Sequence, residues 1–436
     1  MNAQRPSKYA WVIALLLFLF MLINFADKAV IGLAAVPIMN DLQLTPSQFG
    51  LVGSSFFFLY AVSGVVTGFV VNRIQTRWAL LAMGLIWAVT QFPMAGSVGF
   101  TTLIACRVLL GAGEGPAYPV ALHSAYKWFP NELRTLPTAM ISQGASIGVV
   151  LALPGLNYLI VHYSWHWAFA ALGLSGLLWA TAWFAFGREG TLDDTSTPTQ
   201  GRSVGRIPYR RLLLNQTVLA ACASGFGAYW GLSLMIAWLP HYLIKGLGYT
   251  QQQTGWLSAL PWVCNVFIVI GAGWLSQSLL ARNYSSLVAR SLIGGGAVAL
   301  GGIALIAMPY VEAPMLNLAF LVFGISVPSV IYVLSPAIVS EFTPVSQRGA
   351  MLTIITAVST SAGLLAPYVM GRIIENGATA SEGFHRGFLI CGVVSLVGGL
   401  IGMAFLRPEA EAARFAAAEA AAAATQSRLI NAELAL

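Results

Sequence analysis

The sequence predicts an all-α membrane protein of twelve spanning helices in two bundles of six, and three observations lead there. Only 8% of its 436 residues are Asp, Glu, Lys or Arg and 58% are hydrophobic, against about 25% charged residues in an ordinary soluble chain. Apolar runs of roughly 18 residues or more recur along nearly the whole length, each enough to cross ~30 Å of hydrocarbon. Lys and Arg gather in every second connection between those runs. Backbone inside a bilayer must satisfy its own hydrogen bonds, so the runs are helices. The alternating pattern of a membrane barrel is absent.

The spans are expected at 11–37, 47–71, 78–97, 100–123, 135–162, 166–187, 213–243, 251–280, 287–308, 313–340, 346–373 and 385–406. Arg5 and Lys8 precede the first. The run that follows is too long for a signal peptide and lacks a small-residue cleavage site, so it reads as a retained span. Arg73 and Arg77 lie between spans 2 and 3, Lys127 and Arg134 between 4 and 5, Arg202, Arg206, Arg210 and Arg211 between 6 and 7. Arg282 and Arg290 follow span 8, and Arg348 lies at the start of span 11. The alternate connections carry only Lys245, Arg372 and Arg386. That asymmetry predicts a multi-pass inner (plasma) membrane protein with both termini in the cytoplasm.

One long polar connection, 187–211, holds Asp193, Asp194, a Thr/Ser/Pro cluster and five arginines. It divides the chain into a first six-helix bundle (1–186), a cytoplasmic linker (187–211), a second bundle (212–407) and a tail rich in Ala, Glu and Arg (408–436). Two six-helix halves around a site at the membrane midplane is a recurring transporter design. Glycines at small-residue spacing, as in Gly64/Gly68, Gly111/Gly115 and Gly144/Gly148, allow close helix approach.

The formal net charge of +7 is accounted for by the connections and does not suggest nucleic acid. Cys106, Cys222, Cys264 and Cys391 lie in apolar stretches without paired spacing, which suggests neither a disulfide framework nor a metal site. The five histidines form no zinc constellation. No nucleotide-binding GxxxxGK[ST] occurs, and no nucleophile–base pair points to an enzyme.

Four charges lie where charge is costly: Asp27 and Lys28 in the first span, Arg107 and Glu114 in the fourth. Each costs at least ~2.5–3.5 kcal/mol at the middle of a bilayer, and such residues usually mark a substrate or ion pathway. Two acids and two bases are neutral together when all are ionised. Arg107 and Glu114 are seven residues apart, on one helix face and about 10.5 Å along the axis. Lys28 points about 100° away from Asp27 around the helix. Asp27 is therefore placed to pair sideways with Arg107 while Lys28 faces a cavity. Glu114 has no cation near it in sequence, which favours it as the acid that titrates. Protonating an acid frees a cation for a substrate carboxylate.

The segment Arg107-Val-Leu-Leu-Gly111-Ala-Gly-Glu114-Gly115-Pro-Ala-Tyr-Pro119 resembles the RxxxGxxxGxxxP motif in the fourth helix of the major facilitator superfamily. Gly68-Phe-Val-Val-Asn72-Arg73-Ile-Gln-Thr-Arg77 resembles that family's GxxxDRxGRR connection. Lys127-Trp-Phe-Pro-Asn-Glu-Leu-Arg134 and Trp165-His-Trp-Ala-Phe169 resemble the KWFPxxER and WRWAF stretches of its anion:cation symporter branch. The likeness covers residues 8 to 407 and implies the major facilitator fold. It also implies proton-coupled symport of a small organic anion, a sugar acid or other carboxylate, by alternating access and without a cofactor beyond the proton gradient.

On this resemblance Asp27 and Glu114 handle protons, Lys28 and Arg107 attract the carboxylate, and Tyr60 matches a substrate-contacting tyrosine. Gln143, Asn265, Ser359 and Thr360 are polar candidates for the rest of the substrate; Asn72, Arg73 and Arg77 are expected at a cytoplasmic gate. The family default is a monomer. Two departures stand out. Asn24-Phe25-Ala26-Asp27-Lys28 replaces the Asn-Tyr-x-Asp-Arg of sugar-acid carriers, losing a hydroxyl and Arg's bidentate fork, which leaves room for a more aromatic or less hydroxylated carboxylate. Asn72 replaces the usual gate Asp. The alternatives are a proton-driven exporter of amphipathic compounds, disfavoured for cationic drugs by the cations beside the acids, and a transport-dead anion sensor.

Overall fold

The computed structural model describes residues 7–70, 74–130, 133–192 and 207–417, and no strand occurs among the described residues. Eleven stretches are helical, long and apolar enough to cross a membrane. They are span 1 (Lys8–Leu33), 2 (Pro46–Thr67), 3 (Thr76–Ala95), 5 (Leu136–His162), 6 (Trp165–Phe186), 7 (Gln216–Ala237), 8 (Gln251–Ala281), 9 (Leu287–Tyr310), 10 (Pro314–Phe342), 11 (Gln347–Glu375) and 12 (Ala380–Phe405). Span 4 is present as two shorter helices, Phe100–Glu114 and Ala117–Tyr126. Pro116 has no N–H for the carbonyl of Ala112, so the helix breaks at Gly115-Pro116. The twelve-helix, all-α expectation holds.

Proline also corrects two expected boundaries. Span 1 ends at Leu33 and is followed by a separate helix, Ala35–Asp41; span 7 ends at Ala237 and is followed by Leu239–Lys245. Pro37 and Pro240 lack the N–H groups that would bond the carbonyls of Leu33 and Ile236 four residues back. Both carbonyls are thereby available to other groups.

Apart from the long segment between spans 6 and 7, short connections reverse the chain between spans. The face at which span 1 begins is called near here, and the opposite face far. Within the first six spans, span 1 lies along span 5, span 2 on span 4, and span 3 on span 6; within the last six, span 12 packs on spans 7 and 9. The two sets meet most closely at the far face, where Pro46–Ser55 of span 2 packs on Ala362–Glu375 of span 11, span 5 on the start of span 8, and span 1 on span 7.

Hydrogen bonds tie the sets together there. Gln251 Nε2 donates to Asn157 Oδ1 (2.9 Å) and to the carbonyl of Leu33 (3.1 Å), the one Pro37 leaves free. Asn157 Nδ2 donates to the carbonyl of Gln251 (3.0 Å). The Ser47 amide donates to Glu375 (3.1 Å), and the Tyr368 amide to Ser54 Oγ (3.2 Å). A Cβ at Gly32 would run into the carbonyl oxygen of Ile236, so only glycine lets spans 1 and 7 come this close.

At the near face Glu189 organises the first set. Its carboxylate accepts from the Thr76 amide (3.2 Å), the Thr76 hydroxyl (3.1 Å) and the Arg77 amide (3.0 Å), and it pairs with Lys127. It thus satisfies the open amides at the N-terminus of span 3. Burial alone would push the Glu189 carboxyl up, but the Lys127 ammonium and the amides of Arg77 and Thr76 outweigh it and hold it below the ordinary carboxylate range.

Candidate functional site

Spans 1 and 4 bring the four charges together and withdraw them from solvent. Asp27 is 1% exposed, Lys28 5%, Arg107 4% and Glu114 1%. Lys28 Nζ lies 3.1 Å from Glu114 Oε2 and donates to Asn24 Oδ1 at 2.7 Å. It sits 4.3 Å from the centre of the Phe25 ring and 5.3 Å from that of Tyr60. The Arg107 guanidinium lies 4.7 Å from the centre of the Phe56 ring. A Cβ at Gly111 would strike the Phe56 carbonyl, so the glycine one turn along from Arg107 is what admits span 2 so closely.

The expected pairing of Asp27 with Arg107 is not formed. The Asp27 carboxylate oxygens are buried with no donor, and Arg107 Nε and Nη1 are buried with no acceptor. Lys28 pairs with Glu114 instead, so Glu114 is not the acid without a cation that its sequence neighbours suggest. The reason is three-dimensional: the cation arrives from span 1, and the Phe56 face holds the arginine by cation–π attraction. Gln91 of span 3 neighbours Asp27 and is itself buried with an unpartnered amide nitrogen.

Between Lys28 and Arg107 a cavity of about 10 Å³ remains, bordered by Gly53, Phe56, Phe57 and Ser233. That is room for about one water molecule, not for a carboxylate. In this conformation Arg107 keeps open donors, while Lys28 is engaged by Glu114 and Asn24.

The remaining expected residues fall in different places. Tyr60 is half-buried against Lys28 and joins the cluster. Gln143 and Asn265 are half-buried on spans 5 and 8 and do not border the cavity. Ser359 and Thr360 are buried on span 11, but their hydroxyls donate to their own helix, at Ile355 (2.9 Å) and Ala357 (3.1 Å). Arg77 donates to the carbonyl of Phe184 at 3.0 Å and covers the Trp78 ring, joining spans 3 and 6 of the first set. Asn72 and Arg73 lie outside the described residues. The sequence reading missed Asn24, Gln91, Phe56 and Glu189. Asn24 sits one turn before Lys28, a spacing that could have flagged it; the other three carry no local signal.

Spanning helices packed around a buried set of two acids and two bases define a multi-pass membrane transporter rather than an enzyme. The chain matches the Major Facilitator Superfamily over residues 17–367 and belongs to that family. Among its relatives, the hexuronate transporter of Bacillus subtilis (strain 168) is 25% identical, covering 92% of this chain and 96% of the relative. The D-galactonate transporter of Escherichia coli O6:H1 is 22% identical over the same shares. Among solved structures, an inward-facing, unoccupied bacterial homologue of the human lysosomal transporter Spinster aligns with a TM-score of 0.75 at 19% identity, covering 92% of this chain and 98% of that one. A D-xylose-proton symporter aligns at 0.73 and 18% identity, with coverage of 92% and 99%. These structures share the fold.

Proposed function

We propose that this transporter moves a small organic anion together with protons, as uptake, by alternating access of the two six-helix halves around the buried charges. The observation that carries this reading is the pair of uncompensated groups in the cluster: a buried guanidinium with two open donor atoms beside a buried carboxylate that accepts nothing. Arg107 lacks an anion and Asp27 lacks a cation or a proton. A substrate carboxylate on Arg107 with a proton on Asp27 satisfies both at once, which makes the two solutes travel together. Glu114 acts one step along: a proton on it releases Lys28 for the same carboxylate. The relatives named for hexuronate and galactonate support an organic anion as the cargo.

The distribution of Lys and Arg supports an inner membrane with the near face in the cytoplasm. The far-face seal then makes this the conformation from which cargo exits inward. Arg77, with Asn72 and Arg73, serves the near-face gate; Gln143 and Asn265 complete the substrate site when the halves rock. The working unit is a monomer, and the proton gradient supplies the energy with no cofactor.

Proteoliposomes with an imposed pH gradient test the coupling. Glu114→Gln is expected to abolish accumulation against a gradient while leaving counterflow exchange measurable. Loss of both in a protein that still melts normally would argue that Glu114 only locks the helices, as buried ion pairs can.

A further inference from the structure

Resting on the anion reading above, we infer that the cargo is a planar, hydroxyl-poor carboxylate, an aromatic monocarboxylic acid rather than a polyhydroxy sugar acid. The walls around the two cations are rings. Phe25 and Tyr60 flank Lys28, and Phe56 lies against Arg107. The rings then continue across the boundary between the halves: Phe57 meets Tyr229 of span 7 edge to face at 5.7 Å, and Phe25 meets Trp262 of span 8 at 5.8 Å. Phe25, Tyr60 and Tyr229 are only partly buried, and Phe56 and Phe57 border the cavity between the cations.

The hydroxyls of span 11 that could read a sugar are engaged within their own helix. Ser359, Thr360, Thr356 and Ser361 of span 11 donate to carbonyls of their own helix, as does Ser233 of span 7. A site built for a polyol holds donors and acceptors in reserve, because a buried hydroxyl without a partner is strongly disfavoured. Of the buried groups without a partner, neutral ones such as Asn24 Nδ2, Gln91 Nε2, Tyr332 Oη and Ser335 Oγ are divided among spans 1, 3 and 10, whereas the donors of Arg107, suited to one carboxylate, lie among ring faces and edges, suited to another ring. Carboxylate recognition is thus polar at one end and aromatic over the body of the cargo.

The test uses the purified full chain, first in thermal shift and then in proteoliposome counterflow, with 4-hydroxybenzoate and benzoate against D-glucuronate and D-galactonate. The aromatic acids are expected to stabilise the protein and to exchange at concentrations at least about tenfold lower than the sugar acids. Phe25→Leu, which keeps the position apolar and removes the ring, is expected to weaken 4-hydroxybenzoate exchange about tenfold, while the melting temperature without ligand stays near that of the parent. Preferential exchange of the sugar acids, or an unaltered 4-hydroxybenzoate affinity in folded Phe25→Leu, overturns the ring assignment and leaves anion transport standing. Failure of every carboxylate in the panel to stabilise or exchange overturns both.

Discussion

Arg107 shows how one buried side chain is held by a ring while its hydrogen-bond donors stay open. Its charge rests on the Phe56 ring while Nε and Nη1 bond nothing. A ring face attracts a cation without using its hydrogen-bond donors, so the donors stay available for a planar carboxylate. Lysine would keep the charge and lose the fork. Arg107→Lys is therefore expected to weaken carboxylate binding by about tenfold or more, read as the concentration that half-stabilises the protein in thermal shift. Affinity equal to that of the parent would show that a point charge is enough. Lys28 differs from Arg107 because Asn24 and Glu114 already occupy it; under the proposed mechanism it binds the carboxylate only after Glu114 is neutralised.

Helix ends do the work at the next scale. Glu189 joins the start of span 3 to the end of span 4 and to its own segment beyond span 6. Asn72 stands where the family pattern has an acid, and Glu189 supplies an acid at this face from elsewhere in the chain. Because its carboxyl is held below the ordinary range when folded, its contribution is present above the unfolded value and is lost as pH falls through the folded one. Glu189→Gln is expected to cost about 1 to 2 kcal/mol at neutral pH, after allowing for solvent screening. The difference in melting temperature from the parent should be constant near pH 7 and shrink below about pH 4. A difference that grows on acidification would contradict the assignment.

For the whole molecule, the far-face seal sets which side the site can reach. It combines a few hydrogen bonds and close backbone contacts with a buried apolar cluster that joins Val30, Phe49 and Val52 to Trp238, Ala366 and Met370 across the boundary. Gln251 is its hub, bonded to Asn157 and to Leu33 across the boundary. Each such bond is worth about 1 kcal/mol net, so Gln251→Leu is expected to shift the balance toward far-side opening by roughly tenfold. Spin labels placed on spans 2 and 11 at the far face would report this as a new, longer distance population. An unchanged distribution would place the seal's strength elsewhere, in the packing of span 2 on span 11.

Much of this was legible in the chain itself. Mean hydropathy, the Lys/Arg alternation and the polar stretch at 187–211 made twelve spans and their order readable, because the bilayer imposes length and polarity directly on local sequence. The four buried charges were visible for the same reason: a charge inside an apolar run stands out without any alignment. Which charge faces which partner was not visible. Asp27 and Lys28 are neighbours in sequence, yet the tertiary fold sends Lys28 to Glu114, settles Arg107 on Phe56 and leaves Asp27 without a cation in contact. Pairing depends on the rotation and separation of spans 1, 2 and 4, which are set by contacts between residues far apart in the chain. Local sequence therefore determined the helices and the chemistry they carry, while only packing decided which of those groups remain free to act.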